Sequence, residues 1–405
     1  MSILDAVTHR VDWGKRDLGR VAQRIQASGR PDLQALSVFL DEGVVPRSSR
    51  EDNHNRLGED LGKYLVVRPG DIVFNKLRTW QGGLGVSRYD GIVSPAYFVC
   101  RPDESTDSRY LHYLLRSVPY LQELTRISKW MPPSQFDITW EQLRRLPIVT
   151  PPIAVQRAIA DYLDAETARI DALIEKKQQM RDLLAEHFAA LAELVVWSDV
   201  TSAGPLMYRT DQLRPIMYGI VLPGPDVPDG VSIVKGGDIA ARRLSPDRLC
   251  RTTKEIEAPY ARARLRPSDL VFAIRGGIGD VELVPSDLAG ANMTQDAARI
   301  APALDVLPEW LRVVLRTATV KKQVAERVTG ATVKGLNIWD LKRINVPASD
   351  ITRQEHDLSV LMTEEQRVQD LAASLLRQCD LLTERRQALI TAAVIGEIDI
   401  PGVAA

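Results

Sequence analysis

The sequence predicts an α+β protein made of two similar halves, each a mixed α/β globular part followed by one long helix. Two observations predict this fold: two long apolar-periodic stretches, and a match of the sequence with itself at an offset of 198 residues. A chain of 405 residues is long enough for two or three domains. The expected boundaries are, in chain order, a globular part over 1–150, a long helix over 151–197, a globular part over 198–348 and a long helix over 349–397.

The first long helix is predicted over residues 151–197. Pro151 and Pro152 stand at its start, where proline is tolerated, and the next glycine or proline is Gly204. Apolar residues recur at alternating steps of four and three, the 3.5-residue period of a coiled-coil seam. A helix of roughly 70 Å, at about 1.5 Å per residue, needs a partner helix. The predicted seam residues are Ile159, Leu163, Ile170, Leu173, Met180, Leu184 and Leu191.

The partner helix is predicted in the same chain, 198 residues further on. Ile153, Gln156 and Leu163 match Ile351, Gln354 and Leu361 at this offset. The match extends upstream, because Arg68-Pro69 and Asp71 correspond to Arg266-Pro267 and Asp269. The sequence therefore predicts a tandem duplication of a unit of about 200 residues. The predicted seam residues of the second helix are Leu361, Val368, Leu371, Leu375, Leu382 and Leu389.

Charge is divided unevenly along the chain, although the net charge is only −1. Residues 152–201 hold nine acids and five bases, and residues 350–399 hold ten acids and five bases. The helices therefore sum to −9 and the remainder to +8. Basic globular parts beside acidic helices suggest phosphate contact by the former and a protein partner for the latter. A random partition of charge is the alternative interpretation.

Candidate DNA-contacting residues lie in polar or glycine-rich connections of both globular parts. Cations and amides in such loops contact phosphates and base edges, and an aromatic side chain beside a cation can stack on a base. Ordinary surface charge and partly buried tryptophan are the alternatives. The candidates are Arg47, Arg50, Lys76, Arg78, Trp80, Gln81, Lys129, Gln135, Lys235, Arg242, Arg275, Asn292, Gln295, Lys334 and Asn337.

Sequence motifs for catalysis are missing. The chain has no Walker A, H-E-x-x-H or G-x-S-x-G motif and no cysteine–histidine metal spacing. The Gly-Gly-x-Gly stretch at 276–279 lacks the Lys-Ser/Thr of a nucleotide-binding loop. We therefore expect no catalytic, cofactor-binding or metal-binding residues. Without a signal peptide or a run of 18 apolar residues, and with three unpatterned cysteines, the expected location is the cytoplasm.

The two helical segments resemble a known family, the specificity (S) subunit of type I restriction–modification enzymes. The resemblance is carried by Pro151-Pro152, Gln156 and the leucines of the first helix, and by residues 381–399, LLTERRQALITAAVIGEID. It covers nearly the whole chain but is weak inside the globular parts. One departure is Ala348-Ser349-Asp350, where the family usually has prolines.

The resemblance implies a non-catalytic DNA reader with two target recognition domains. Each domain would read half of a bipartite, asymmetric site in double-stranded DNA, and the helices would pair as an antiparallel coiled coil that fixes the spacing. Two modification subunits that use S-adenosylmethionine would bind around the helices. The resemblance also allows two restriction subunits that use ATP and magnesium, while this chain itself would hold no cofactor and contact no membrane.

Two alternative functions stay open. One is a coiled-coil scaffold or adaptor that binds no DNA. The other is the recognition subunit of another methyltransferase-based phage-defence complex. A DNA binder should lose affinity steeply as salt rises, which separates it from the scaffold, and the neighbouring genes would separate the two kinds of complex.

Overall fold

The computed structural model of the chain describes residues 13–40, 42–49, 57–58, 60–131, 135–198, 200–239, 244–330 and 334–401. Two compact units divide the chain. Unit 1 comprises Met1–Lys177 and Arg377–Ala405, and unit 2 comprises Gln178–Leu376. Each unit thus contains one globular part and a stretch of both long helices.

Unit 1 contains twelve described strands. They are β1 (Gly14–Asp17), β2 (Ala22–Ile25), β3 (Leu36–Phe39), β4 (Gly43–Pro46), β5 (Leu65–Val67), β6 (Ile72–Asn75), β7 (Leu84–Val86), β8 (Gly91–Val93), β9 (Tyr97–Pro102), β10 (Lys129–Met131), β11 (Gln135–Asp137) and β12 (Pro147–Thr150). Four of them form an antiparallel sheet with the strand order β2-β9-β6-β7. The others form the two-stranded sheets β1-β12, β3-β4, β5-β8 and β10-β11. The helices are α1 (Leu18–Val21), α2 (Ser108–Arg116), α3 (Val118–Ile127) and α4 (Trp140–Leu143).

The core of unit 1 joins its sheet to its helices. The apolar run of β6 is buried, and Phe74 packs in one cluster with Leu114 of α2 and Leu124 of α3. Helix α2 begins after Asp107, whose carboxylate accepts from the backbone N–H of Arg109 at 2.9 Å. The long helices α5 (Ile153–Trp197) and α10 (Ile351–Val394) contribute to the same core. Burial in this core, rather than helix propensity, holds those segments of the long helices in place.

The strands of unit 2 are β13 (Ala203–Pro205), β14 (Met217–Tyr218), β15 (Val231–Val234), β16 (Arg251–Thr252), β17 (Leu270–Ala273), β18 (Val281–Leu283), β19 (Asn292–Met293), β20 (Ala297–Ile300) and β21 (Asn345–Pro347). They form a four-stranded sheet with the order β14-β20-β17-β18, a three-stranded sheet β16-β15-β19 and the pair β13-β21. Its helices are α6 (Lys254–Glu257), α7 (Pro308–Arg316), α8 (Ala318–Arg327) and α9 (Ile338–Lys342). Trp310 of α7 is fully buried in its largest core cluster.

Corresponding elements of the two units have the same order in their central sheets. Strand β6 and strand β17 stand 198 residues apart, whereas α2 and α7 stand 200 apart. The matched glutamines explain part of this correspondence. The amide oxygen of Gln156 accepts from the backbone N–H of Asp107 at 2.9 Å, and that of Gln354 accepts from the N–H of Leu307 at 2.8 Å. Each glutamine therefore ties its long helix to the segment that begins α2 or α7.

The long helices bury a row of side chains that differs from the predicted seam at three positions. Leu163 and Ile170 are buried, but Leu173 and Met180 are 43% and 52% exposed. Thr167, Ile174 and Phe188 are buried or half-buried instead. The seam prediction was therefore wrong at Leu173 and Met180, and in α10 at Leu371, which is also exposed. The other predicted seam residues, Ile159, Leu184, Leu191, Leu361, Val368, Leu375, Leu382 and Leu389, are buried or half-buried.

No described helix, the two long ones included, combines the length and the apolar character that crossing a membrane requires.

Candidate nucleic-acid interface

In unit 1, an aromatic cluster joins two of the predicted segments. The ring of Phe136, on β11, lies 4.9 Å from Trp80 and 4.9 Å from Trp130. The indole N–H of Trp80 donates to the carbonyl of Leu77 at 3.1 Å, so this ring is fixed to its own loop. Trp130 is 49% exposed. The loop after β6 and the hairpin β10-β11, which are about fifty residues apart in sequence, therefore share one surface of unit 1.

The polar side chains of this surface differ in whether they are exposed or bonded to the rest of the protein. Arg78, Gln81 and Lys129 are exposed. Lys76 is held against the protein: its ammonium donates to the carbonyl of Pro95 at 2.8 Å and lies 4.7 Å from the centre of the Phe98 ring. Burial, followed by the charge of a neighbouring arginine, lowers the pKa of Lys76. Arg78, Gln81 and Lys129 are thus better placed than Lys76 to reach a ligand.

The neighbouring arginine is Arg24, a residue that the sequence did not single out. Its guanidinium carbon lies 5.0 Å from the Phe98 ring centre and 5.5 Å from that of Trp140. Two cations therefore flank Phe98, a cation–π arrangement that places positive charge beside the loop after β6. Arg24 lies in a strand, whereas the sequence predicted DNA contacts only in loops. The contact of Arg24 with two aromatic rings is seen only in the folded structure.

The remaining candidates of unit 1 are less informative. Arg47 is half-buried and begins a short 3-10 turn, Arg47–Ser49, where its backbone N–H donates to Ala35 at 2.9 Å. Gln135 pairs with Met131 in the β10-β11 hairpin. Arg50 and the side chain of Gln135 lie outside the described residues.

In unit 2, four candidates converge at the end of β17. The backbone N–H of Arg275 donates to Asp296, the neighbour of Gln295, at 3.1 Å. Gly236, next to Lys235, lies so close to Arg275 that a Cβ added to this glycine would be 2.0 Å from the Arg275 carbonyl oxygen. A Cβ added to Gly335, next to Lys334, would lie 3.4 Å from the Arg275 side chain. The segments of Lys235, Arg275, Gln295 and Lys334 therefore meet at one place.

Charges within this group are only partly balanced. The guanidinium of Arg275 lies 3.9 Å from the Asp296 carboxylate, and Lys334 is exposed. The ammonium of Lys235 lies 3.1 Å from the sulfur of Cys250, and this hydrogen bond raises the pKa of Lys235. The end of β17 thus presents a positively charged surface in unit 2.

Two candidates of unit 2 have structural roles instead. Asn292 is fully buried, and its amide donates to the carboxylate of Glu257 at 2.9 Å and to the carbonyl of Tyr260 at 3.1 Å. This burial contradicts the prediction that Asn292 contacts DNA, so Asn292 is removed from the candidate interface. The side chain of Asn337 caps α9 by accepting from the N–H of Asp340 at 2.9 Å. Arg242 lies outside the described residues.

Among the described residues, no three histidine, cysteine, aspartate or glutamate side chains are grouped as metal ligands would be.

The architecture defines a class of mixed α and β chains with two globular parts and two long helices, and known proteins share it. No protein-family model matches the chain. The type I restriction enzyme EcoBI specificity subunit from Escherichia coli is 25% identical over 282 residues, 63% of this chain and 59% of that protein. The chain therefore matches less than two thirds of the length of this curated relative.

Two solved structures have the same fold over almost the whole chain. One, from a study of complex assembly and conformational transition of the type I restriction–modification system, has a TM-score of 0.71 at 16% identity and covers 96% of this chain and 99% of its own. The HsdS subunit from Thermoanaerobacter tengcongensis has a TM-score of 0.50 at 17% identity, with coverage of 96% and 98%. The chain thus resembles type I specificity subunits in sequence and has an HsdS-like fold.

Proposed function

We propose that this chain is the non-catalytic DNA-recognition subunit of a type I restriction–modification complex. One observation carries the proposal: in each unit the loop that follows the central strand, β6 or β17, gathers exposed cationic side chains. Arg78 follows β6 and Arg275 follows β17, at nearly equivalent places of the two sheets. The resemblance of the chain to a type I specificity subunit supports the same conclusion.

In this proposal each globular part reads one half of a bipartite site in double-stranded DNA. Arginine binds guanine edges and phosphates through two parallel hydrogen bonds, and glutamine can pair with adenine. Arg78, Gln81 and Lys129 would provide such contacts in unit 1, and Arg275, Gln295 and Lys334 in unit 2. Exposed Trp130 adds an apolar surface that can contact a thymine methyl group or a displaced base.

We further infer that the chain is an internal tandem repeat whose long helices pair as an antiparallel coiled coil. In unit 1, Asp171 of α5 lies 3.0 Å from Arg386 of α10, and Lys177 donates to Gln378 at 2.5 Å. In unit 2, His187 lies 3.6 Å from Glu364. Later residues of α5 thus contact earlier residues of α10, which supports antiparallel pairing. A stiff connector of fixed length would favour one spacing between the half-sites.

The helices also offer surface for the proposed protein partners. Large apolar side chains are exposed along them although neighbouring positions are charged, and exposed apolar patches mark interaction sites. We propose that two modification subunits dock here and bring S-adenosylmethionine, and that restriction subunits would bring ATP and magnesium, all in the cytoplasm. The exposed apolar residues are Leu173, Met180, Leu183, Leu194, Val360, Met362, Leu371, Leu376 and Leu381.

The test is methylome sequencing of a host that carries the modification subunits with and without this chain. We expect a bipartite methylated motif that requires the chain, and the purified chain alone should show no methyltransferase, nuclease or ATPase turnover. A methylation pattern that is the same without the chain would contradict the proposal. A chain that binds partner subunits but no DNA at any salt concentration would favour the scaffold instead.

A further inference from the structure

Unit 2 contains a cavity whose polar lining consists of arginines. It has a volume of about 700 Å³ and lies beside the turn that precedes β17, at the opposite end of that strand from Arg275. No acidic side chain belongs to its described lining. The charged lining residues are Arg214, Arg262, Arg264, Arg266 and Arg299.

Arg299 shows that the cavity is built around a buried cation. This side chain, on β20, is only 2% exposed. Its guanidinium donates to the carbonyls of Pro215 at 3.1 Å and Arg262 at 2.5 Å, and both of these residues line the cavity. Its Nε is buried and has no hydrogen-bond partner among the described residues. Carbonyl groups do not neutralise a buried guanidinium. The two carboxylates whose charge acts on Arg299, Asp269 and Asp211, do not line the cavity, so an anion in the cavity would stabilise the guanidinium further.

Two of the other arginines are already neutralised, and two are not. Arg214 forms two hydrogen bonds with Asp269, at 2.8 and 2.6 Å, and Arg264 forms two with Glu257, at 2.8 and 2.6 Å. Within the described part of the chain, neither Arg262 nor Arg266 has an acidic partner. The cavity therefore keeps the positive charge of Arg262, Arg266 and Arg299.

The equivalent strand position in unit 1 shows that a buried cation is not a requirement of the fold. Ile72 pairs with Cys100 in unit 1 as Leu270 pairs with Ile300 in unit 2, so the counterpart of Arg299 is Val99. Val99 is fully buried in an apolar cluster. The charge of Arg299 is therefore particular to unit 2 and is not explained by the architecture of the sheet.

We propose that the arginine-lined cavity of unit 2 is a binding site for a phosphate group, distinct from the loops at the other end of β17. Arginine matches the geometry of phosphate oxygens through paired N–H donors. The phosphate is carried either by a free anion, such as inorganic phosphate or a nucleotide, or by the backbone of a nucleic acid. The inference does not depend on the proposed function, because a free anion can fill the site in a protein that binds no DNA.

The test compares the full-length wild-type chain with the double variant Arg262→Gln, Arg266→Gln. Both side chains are exposed, so the variant should fold normally. The matched control is Lys254→Gln, Lys322→Gln, which removes two exposed cations of unit 2 that do not line the cavity. The first measurement is the rise in Tm caused by inorganic phosphate over chloride at equal ionic strength. The second is the salt dependence of binding to a duplex of arbitrary sequence.

Each source of phosphate has its own expected result. For a free anion, phosphate raises the Tm of wild type and control, and the double variant loses most of this rise. For a nucleic-acid phosphate, the slope of log K against log salt becomes smaller in the double variant by about 0.9 per lost contact, or about 2 in total. Either result, or both together, supports the site. Identical behaviour of wild type, control and double variant in both measurements overturns it.

Discussion

The turns before β6 and β17 have the same backbone bonds but different charge arrangements. In unit 1 the carboxylate of Asp71 accepts from the N–H of Arg68 at 2.9 Å, and in unit 2 Asp269 accepts from the N–H of Arg266 at 2.7 Å. The turn residue between them is Gly70 with φ +90° in unit 1 and Ser268 with φ +69° in unit 2. The buried aspartate is therefore a requirement of the turn in both units.

The guanidinium that neutralises this aspartate is supplied by different segments of the chain in the two units. Arg101 of β9 pairs with Asp71 at 2.7 and 2.9 Å. The register of the two sheets aligns Arg101 with Ala301, which carries no charge, and Arg214 bonds Asp269 instead. The comparison teaches that the fold specifies one guanidinium for the buried acid but not the strand that supplies it.

The largest effect expected from this comparison is on stability. Asp269→Asn should lower the free energy of unfolding by about 3–5 kcal/mol, because it leaves the 17%-exposed Arg214 without a counter-charge. Asp71→Asn should cost less, because its partner Arg101 is 42% exposed and water can solvate it. Urea denaturation of the full chain, followed by tryptophan fluorescence, measures both. Equal losses would mean that the burial of the arginine does not decide the effect.

A second prediction concerns the loops at the other ends of β6 and β17. Arg78→Ala and Arg275→Ala should each weaken DNA binding by the assembled complex by about 1–3 kcal/mol. If these residues contact bases, each variant should relax the choice of base in one half-site only. Binding titrations on the methylated motif and on single-base variants measure both effects. Lys322→Ala, an exposed cation outside the loops, is the control, and wild-type affinity in both loop variants would show that other segments contact the DNA.

The sequence predicted the positions of the long helices and central strands better than the side chains that line their surfaces. The offset of 198 placed β6, β17 and both long helices, because glycine-free apolar periods and turn residues are local signals. It did not reveal which of two neighbouring apolar residues is buried. Leu173 and Ile174 are both apolar, yet Leu173 is exposed and Ile174 is half-buried. Contacts in the folded chain, which the sequence pattern does not contain, decide that choice.

Candidate contact residues were harder to predict because polarity does not distinguish a surface amide from a buried one. Asn292 was predicted to contact DNA, but its amide donates a hydrogen bond to Glu257 inside unit 2. Arg299 and Arg24 lie in strands and gave no loop signal, yet the fold places the first in a cavity and the second beside aromatic rings. Which cations are free depends on pairings between residues far apart in sequence, such as Arg214 with Asp269.

The smallest expected effect compares equivalent positions of α2 and α7, where His112 of unit 1 corresponds to Arg312 of unit 2. The Nδ1 of His112 is buried without a hydrogen-bond partner in the described region. Burial, followed by the charges of Arg116, Arg386 and Arg88, lowers the pKa of His112 from 6.5 to about 3. Below pH 6.5 the unfolded chain therefore binds a proton that the folded chain does not, so stability falls as the pH drops towards the folded pKa.

His112→Gln should remove this pH dependence. Between pH 7.5 and 5.5, wild type should lose about 1 kcal/mol more of its unfolding free energy than the variant does. Denaturation of both proteins at the two pH values measures the difference. The control is Arg312→Gln at the equivalent position of unit 2, which should change stability by the same amount at both values. An equal loss in wild type and His112→Gln would show that His112 titrates normally in the folded chain.

The length of the long helices tests the proposed DNA-reading function most directly. Seven residues, one heptad, are inserted into α5 between Lys177 and Gln178 and into α10 between Leu376 and Arg377, where the chain passes between units. A heptad keeps the buried row in register and adds roughly 10 Å to each helix. At about 3.4 Å per base pair, this length corresponds to some three base pairs. A two-residue insertion, which rotates the row away from its partner, should instead impair folding or assembly.

The measurement is sequencing of the methylated sites made by the heptad-extended chain with its modification subunits. We predict the same two half-sites, because the reading loops are unchanged, separated by about three more base pairs. A folded and active extended protein that still modifies sites of the original spacing would contradict the account, and so would a change in the half-site bases themselves.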